Sequence, residues 1–254
     1  MASVAQFIPL LAQVEAPVIE CFTRGGGVPY SKFPRFHEVM MEESDQTVVA
    51  ALHEAILPAV EGLVAKLQAG LRVMDVGCGR GRALMAMAEA FPQSDFVGVD
   101  FSAEAIAEAT EEAQRRGLPN LQVRVQVAAH LEETNAFGLI TAFDAIHDQV
   151  QPAEVLRGIY RALAPGGTFL MQDIGGTSHV DQDKTYPLAP LLYTISCLHC
   201  MTVSLSAGGA GLGAMWGREV AVAMLEEALF DDVTVKKLDH DELNLYFIAR
   251  KATD

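Results

Sequence analysis

Three groups of residues in this chain have the types and spacing to do chemistry. The first is the adjacent pair His147-Asp148. An imidazole titrates near neutral pH and can take a proton from an acceptor, with a neighbouring carboxylate to orient it. The same pair could instead be structural, with the histidine anchoring its loop to the following helix. The second group is Cys197-x-x-Cys200 with His199 inside it. A structural zinc needs four ligands, and no second cysteine pair supplies them. A redox pair is expected after a strand, whereas residues 191–203 form an apolar, helix-like run. These are expected to be buried helical cysteines, and no metal is expected.

The third group is Asp75-x-Gly77-x-Gly79-x-Gly81. Glycines let backbone approach a ligand, and the start of the following helix offers free N–H groups. A dinucleotide loop has the spacing Gly-x-Gly-x-x-Gly/Ala, and its third position here is Arg82. That argues against a nicotinamide-dependent oxidoreductase. Asp75 would also repel a pyrophosphate. It could orient the loop, or help to bind a cationic amino group. Asp100 closes the next apolar run, where a carboxylate can accept hydrogen bonds from both hydroxyls of a ribose.

These residues need a frame. Residues 1–24 read as a helix pair or one interrupted helix, Gly25-Gly-Gly27 as a break, and residues 42–68 as helix with a kink at Pro58. From residue 71 strands and helices alternate. Strands are expected at 71–76, 95–99, 121–127, 139–143 and 168–172, and helices at 82–90, 103–116 and 153–163. Ser102 and Gly117 read as the caps of the second of these helices. Pro165-Gly166-Gly167 closes the third. This order implies a mainly parallel sheet covered by helices on both faces. After an irregular insertion, a helix at 218–229 precedes strands at 232–237 and 243–249. Their short link forces them to pair antiparallel.

Composition narrows the function. The chain has 254 residues, half of them hydrophobic, which suits one α/β domain with additions. A net charge of −15 without a basic stripe argues against nucleic acid and against anionic membranes. No uninterrupted apolar run looks long enough to span a bilayer, and no segment reads as a signal peptide. Four cysteines give no disulfide framework in a chain this long, so a cytoplasmic protein is expected. The apolar N-terminal segment favours a homodimer.

Taken together, Val73-Met-Asp-Val-Gly-Cys-Gly-Arg-Gly81, Phe96-Val-Gly-Val-Asp100-Phe-Ser102 and Leu163-Ala-Pro-Gly-Gly-Thr168 resemble the class I S-adenosylmethionine-dependent methyltransferases. The resemblance spans about residues 55–250. It implies an α/β, Rossmann-like, seven-stranded sheet of order 3-2-1-4-5-7-6, with strand 7 antiparallel and helices on both faces. Residues 1–54 would be an N-terminal helical extension and 55–254 the methyltransferase domain, with a substrate-side insertion at about 175–216. The implied function is methyl transfer from S-adenosylmethionine to a small-molecule acceptor, leaving S-adenosylhomocysteine.

Carried over residue by residue, Asp75, Gly77, Cys78 and Gly79 would surround the methionine and ribose portions. Asp100 would hold the ribose, with Phe101 against adenine. Val127 and Ala128 would lie at the adenine, and Phe143 and Asp144 under the methionine. His147-Asp148 resembles the His-Asp pair of small-molecule O-methyltransferases, whose histidine is a base, so oxygen is the favoured acceptor atom. Tyr30, Tyr193, His199 and Trp216 are the candidates for the substrate pocket, with ordinary core packing as the other reading of each.

Two features depart from the family pattern. Gln126-Val127-Ala128-Ala129 has no acid for the adenine amino group, and Gly138 stands where an aspartate is usual. A lost hydrogen bond of the first kind costs on the order of 1 kcal/mol. It motivates the alternative of a non-catalytic S-adenosylmethionine sensor or scaffold.

A narrower likeness rests on Gly26-Gly-Val-Pro-Tyr-Ser31, Thr141-Ala-Phe-Asp-Ala-Ile-His-Asp-Gln149, His199-Cys-Met-Thr-Val-Ser204 and Gly211-Leu-Gly-Ala-Met-Trp-Gly217. These resemble a bacterial group that carries an N-terminal winged-helix domain. This chain is expected to lack that domain, as a naturally short member or a trimmed one.

Overall fold

Strand residues one apart face opposite sides of a sheet, and this chain places apolar residues on both sides. The computed structural model describes residues 5–253. Its strands are β1 (Arg72–Val76), β2 (Asp95–Asp100), β3 (Leu121–Val125), β4 (Phe137–Phe143), β5 (Leu163–Ile174), β6 (Asp232–Lys236) and β7 (Asn244–Arg250). They form one sheet of order β3-β2-β1-β4-β5-β7-β6. Strands β1 to β5 are parallel, and β7 is antiparallel to both β5 and β6.

The helices are α1 (Phe7–Ala12), α2 (Glu15–Arg24), α3 (Phe36–Ser44), α4 (Leu63–Ala69), α5 (Arg82–Ala90), α6 (Ala103–Arg116), α7 (Pro152–Ala162), α8 (Ala189–Ile195), α9 (Met201–Ser206) and α10 (Gly217–Glu227). Met74, Phe169, Met171 and Phe247 face α7 and α10, meeting Leu156, Ile159 and Leu225. Val73, Leu170, Tyr246 and Ile248 face the other way, toward Leu67, Leu84 and Ala109. The caps of α6 are as expected: Ser102 Oγ accepts from Ala105 N at 3.2 Å, and Gly117 is left-handed.

Several local expectations are corrected. The helix does end before Pro165-Gly166-Gly167, but β5 begins at Leu163 directly after α7, earlier than the expected residue 168. The left-handed Gly166 lets the strand absorb an irregular start, seen as a register shift against β4 between Phe137 and Leu139. The helix expected over 42–68 is broken. After α3 come wide turns at Asp45–Val49 and Leu52–Ile56, then a tight turn at Leu57–Ala59 that holds Pro58. At Gly138 a Cβ would stand 2.3 Å from Leu71 Cδ1, so Leu71 occupies that space.

The insertion is dominated by one helical run. Helix α8, a wide turn at Ser196–Cys200, and α9 join into Ala189–Ser206, with 18 residues and a mean hydropathy of 1.3. By length and composition it could cross a membrane, contrary to the expectation from sequence. In the fold its buried residues include His199, Cys200, Thr202 and Ser204. Ile195, Leu198 and Val203 pack against Phe7, Leu10, Val18 and Phe33 of the N-terminal segment.

Gly27 fixes that docking. A Cβ there would fall 1.9 Å from Thr202 O and 2.5 Å from Ser206 N, so only glycine allows the two backbones to meet. Val28 N then donates to Thr202 Oγ1 at 2.7 Å. The chain that follows, Tyr30 to Ser44, lies over the carboxyl ends of the strands, where ligands bind in such sheets.

Candidate active site

The glycine loop leaves β1 and turns into α5. Gly77 N and Cys78 N donate to Val99 O at 2.9 and 3.1 Å, which ties the loop to β2. Gly77 has φ +72°, and a Cβ on it would sit 2.5 Å from Ala145 Cβ. The loop can therefore lie this close to the β4 end only as glycine. The Cys78 thiol points down against Gly98, leaving its backbone to the site.

Asp100 closes the loop from the side. Its Oδ2 accepts from Gly79 N at 2.9 Å and its Oδ1 from Ser102 N at 2.8 Å. Each oxygen keeps a lone pair for a ligand hydroxyl. Asp75 is buried beneath the loop, with Oδ1 accepting from Thr141 Oγ1 at 2.6 Å. Burial, more than the opposing Thr141 bond, raises its carboxyl to about 7.

Two cavities meet over this loop. One, of about 140 Å³, lies between the loop and α3. Its lining includes Asp75, Gly77, Gly79, Phe143, Asp144 and Asp148 below, and Phe36, His37, Met40 and Met41 above. The other, of about 430 Å³, runs past Gln126, Val127 and Ala128. Tyr30, Gly77, Asp100, Phe101, Asp148 and Gln149 border both. All ten residues expected at a cofactor line one cavity or the other.

His147 does not line either cavity. It is 3% exposed, with Nδ1 2.8 Å from Asp173 Oδ1 and 3.8 Å from Asp144 Oδ1. The Cys200 thiol lies close to the same imidazole. Burial pulls the imidazole pKa down, but Asp173 and Cys200 raise it, and the net position is well above the ordinary value. Enclosed, and with Nδ1 engaged by Asp173, the imidazole does not reach the ligand space, so the structure corrects its placement as the base. Its neighbour Asp148 is the group that faces the ligand space. Burial raises Asp148 to about 7, partly offset by His147 and reinforced by Asp144 and Asp173. Asp144 is left-handed, at φ +55°, and burial raises it to about 6. Its buried Oδ1 has no hydrogen-bond partner. The ligand atoms of Asp144, His147 and Asp173 lie within 4.8 Å of one another, close enough to hold a cation. A protonated His147 already supplies positive charge there.

The expected substrate residues separate. Tyr30 lines both cavities, edge-on to Phe101 at 5.4 Å, with its hydroxyl 3.2 Å from His37 Nδ1. Tyr193 instead donates to Asp183 Oδ2 at 2.7 Å and lines neither cavity. Trp216 packs in the core with Met171 and Phe247, because the insertion re-enters the sheet there. His199 is fully buried behind the wall, stacked on Phe36 at 3.5 Å and edge-on to Tyr30 at 5.7 Å. Burial first, then His147 and His37, lower its pKa to about 3. Both of its ring nitrogens lack partners. An unmet buried polar group costs ~1–3 kcal/mol.

Several site residues were not foreseen. Phe36, His37, Met40 and Met41 come from α3, which only tertiary docking brings here. Arg80 and Arg82 also line the first cavity, but Arg80 Nη2 donates to Glu108 Oε1 at 3.0 Å and Arg82 is held by both oxygens of Asp45. Asp173 was signalled only by its place near the end of a strand.

The family model for a methyltransferase domain matches residues 67–218, more than half of the chain. The chain belongs to the class I S-adenosylmethionine-dependent methyltransferases. A ubiquinone biosynthesis O-methyltransferase from Paracidovorax citrulli is 36% identical over 110 residues, 42% of this chain and 44% of that protein. A trans-aconitate 2-methyltransferase from Acidovorax ebreus is 33% identical over 121 residues, 47% of this chain and 45% of that one. The chain thus spans less than half the length of these curated relatives. In structure, an O-methyltransferase family protein from Burkholderia thailandensis superposes with a TM-score of 0.64 at 14% identity, over 88% of this chain and 61% of that one, and shows the shared fold.

The residues present suit this methyltransferase's cofactor. Four aspartates border the loop, and both lining arginines are tied to other carboxylates. Such a site accepts a sulfonium and an ammonium and disfavours a pyrophosphate.

Proposed function

We propose that this protein transfers a methyl group from S-adenosylmethionine to a hydroxyl oxygen of a small molecule, with Asp148 accepting the proton. The observation that carries the reading is Asp148 itself, a carboxyl raised to about 7 that borders both cavities. A base whose pKa lies near the working pH suits removal of a hydroxyl proton.

Asp100 would hold the ribose, and Val127, Ala128 and Phe101 would flank the adenine. Asp75 and Asp144 would face the methionine end. The bound cofactor supplies an electrophilic methyl on a sulfonium. The chain's own contribution is orientation, because in-line displacement depends on holding the nucleophile on axis. Tyr30, Phe36 and Phe101 exclude water from above. His147 and Asp173 fix the loop that carries Asp148.

Titration with S-adenosylmethionine, followed by S-adenosylhomocysteine release with hydroxylated acceptors, tests the reading. Binding without transfer to any acceptor supports the sensor or scaffold alternative, for which the acid-free Gln126-Val127-Ala128 segment is the motive. No binding at all sinks both.

A further inference from the structure

We propose that the acceptor presents a planar aromatic ring bearing no negative charge, and that this ring stacks on His199 in the place now held by Phe36. The inference rests on the methyl-transfer reading above and names its substrate class.

Charge is the first support. Asp144 and Asp148 stand at the floor where an acceptor must approach, with Asp75 and Asp100 beside them. The two arginines of the lining are engaged by Glu108 and Asp45. Burial lowers the His37 imidazole more than Asp100 raises it, which disfavours its charged form. His147 is paired with Asp173 behind the wall. Among the described residues, no free cation lines the space to receive a carboxylate or phosphate. At the intermediate effective dielectric of such a site, and above about pH 7 where Asp148 is ionised, an anion a few ångströms from that carboxylate is disfavoured by at least about tenfold in affinity.

Shape is the second support. Tyr30, Phe36 and Phe101 form an aromatic wall, and Phe36 lies nearly parallel to the His199 ring, at 9°. A flat ring is thus already accommodated against the imidazole, and it comes from the chain's own α3.

His199 is the third support. It is 0% exposed with both ring nitrogens unpartnered, and Phe36 carries no polar atom to meet them. An aromatic ligand with a hydroxyl or amino group would keep the stacking and supply the missing hydrogen bond. Phe36 lies on α3, which follows the tether at Gly27-Val28 and is not part of the sheet, so a ring that takes its place displaces one helix side chain and no strand.

Three probes of matched size test this: 4-hydroxyphenylethanol (neutral), tyramine (cationic) and 4-hydroxyphenylacetate (anionic). Each is titrated calorimetrically into the protein with and without S-adenosylhomocysteine. The neutral and cationic probes should bind at least about tenfold more tightly than the anion. The double substitution Asp144→Asn, Asp148→Asn should shrink that ratio, and His199→Leu should weaken the neutral probe about fivefold. Equal or tighter binding of the anion overturns the proposal, as does failure of both other probes to bind. The ratio in the unsubstituted protein decides the matter even if a variant fails to fold. Absence of S-adenosylhomocysteine binding counts separately against methyl transfer, and the probe ratio remains readable in the cofactor-free protein.

Discussion

His147 Nδ1 sits 2.8 Å from Asp173 Oδ1, and this contact joins the ends of two neighbouring parallel strands. Phe143 pairs with Gln172 in the sheet, so the residue after Gln172 meets the loop that follows Phe143. Asp173 is fully buried and also accepts from Ile174 N. The pair therefore braces the loop that carries Asp148.

Removing Asp173 takes the nearer carboxylate from a buried imidazole and leaves it only Asp144, at 3.8 Å. Asp173→Ala is expected to cost ~3–5 kcal/mol of stability in urea unfolding. The pH dependence has a definite sign. His147 is raised in the folded state, so its contribution is fully present below the unfolded histidine pKa, near 6.5. It is lost as pH rises through the higher folded value. The stability gap between wild type and Asp173→Ala should be widest in acid and narrow in alkali.

Asp148→Asn should lower kcat/KM by ~10²–10⁴-fold while leaving S-adenosylmethionine affinity within a few fold. In wild type the rate should rise with pH through about 7, as the carboxyl ionises. A profile unchanged by the substitution would assign the proton to another group.

Asp100→Ala removes the acceptor for Gly79 N and Ser102 N as well as the expected ribose contact. Charge-assisted hydrogen bonds are each worth ~1.5–3 kcal/mol, so cofactor affinity should fall by at least about tenfold in calorimetry. Unchanged affinity refutes the assignment of this loop.

Gly77→Ala should be more damaging than its size suggests. The position has φ +72°, and the new Cβ would meet Ala145 Cβ at 2.5 Å, a clash between two short, rigid groups. Backbone strain of this kind costs ~1–3 kcal/mol. The expected readout is a lowered Tm together with lost cofactor binding, whereas Gly117→Ala, strained at φ +67° but with open space around it, should lower Tm alone.

Asp75→Asn should raise Tm at pH 8. The folded carboxyl lies near 7 against an ordinary value of 3.8, so its ionisation opposes folding at high pH. That penalty is absent below the ordinary value and grows as pH rises to the folded one. The advantage of the asparagine should therefore vanish near pH 4 and be full above about 7, as read by paired thermal melts.

The sequence alone determined the sheet, the glycine loop and the positions of Asp75, Asp100 and Asp144, because all of these are local. Short apolar runs decide the strands and glycine spacing decides the turn; Asp75 is the last residue but one of β1, Asp100 ends β2 and Asp144 directly follows β4. Tertiary structure decided which of His147 and Asp148 faces the ligand. Adjacent residues in a loop point different ways, and the direction was set by Asp173 and Cys200, distant in the chain. It likewise decided that Trp216 is core, that Tyr193 serves Asp183, and that α3 roofs the site. No periodicity encodes such contacts. They depend on where a helix docks, here on the backbone-to-backbone fit of Gly27 against Thr202.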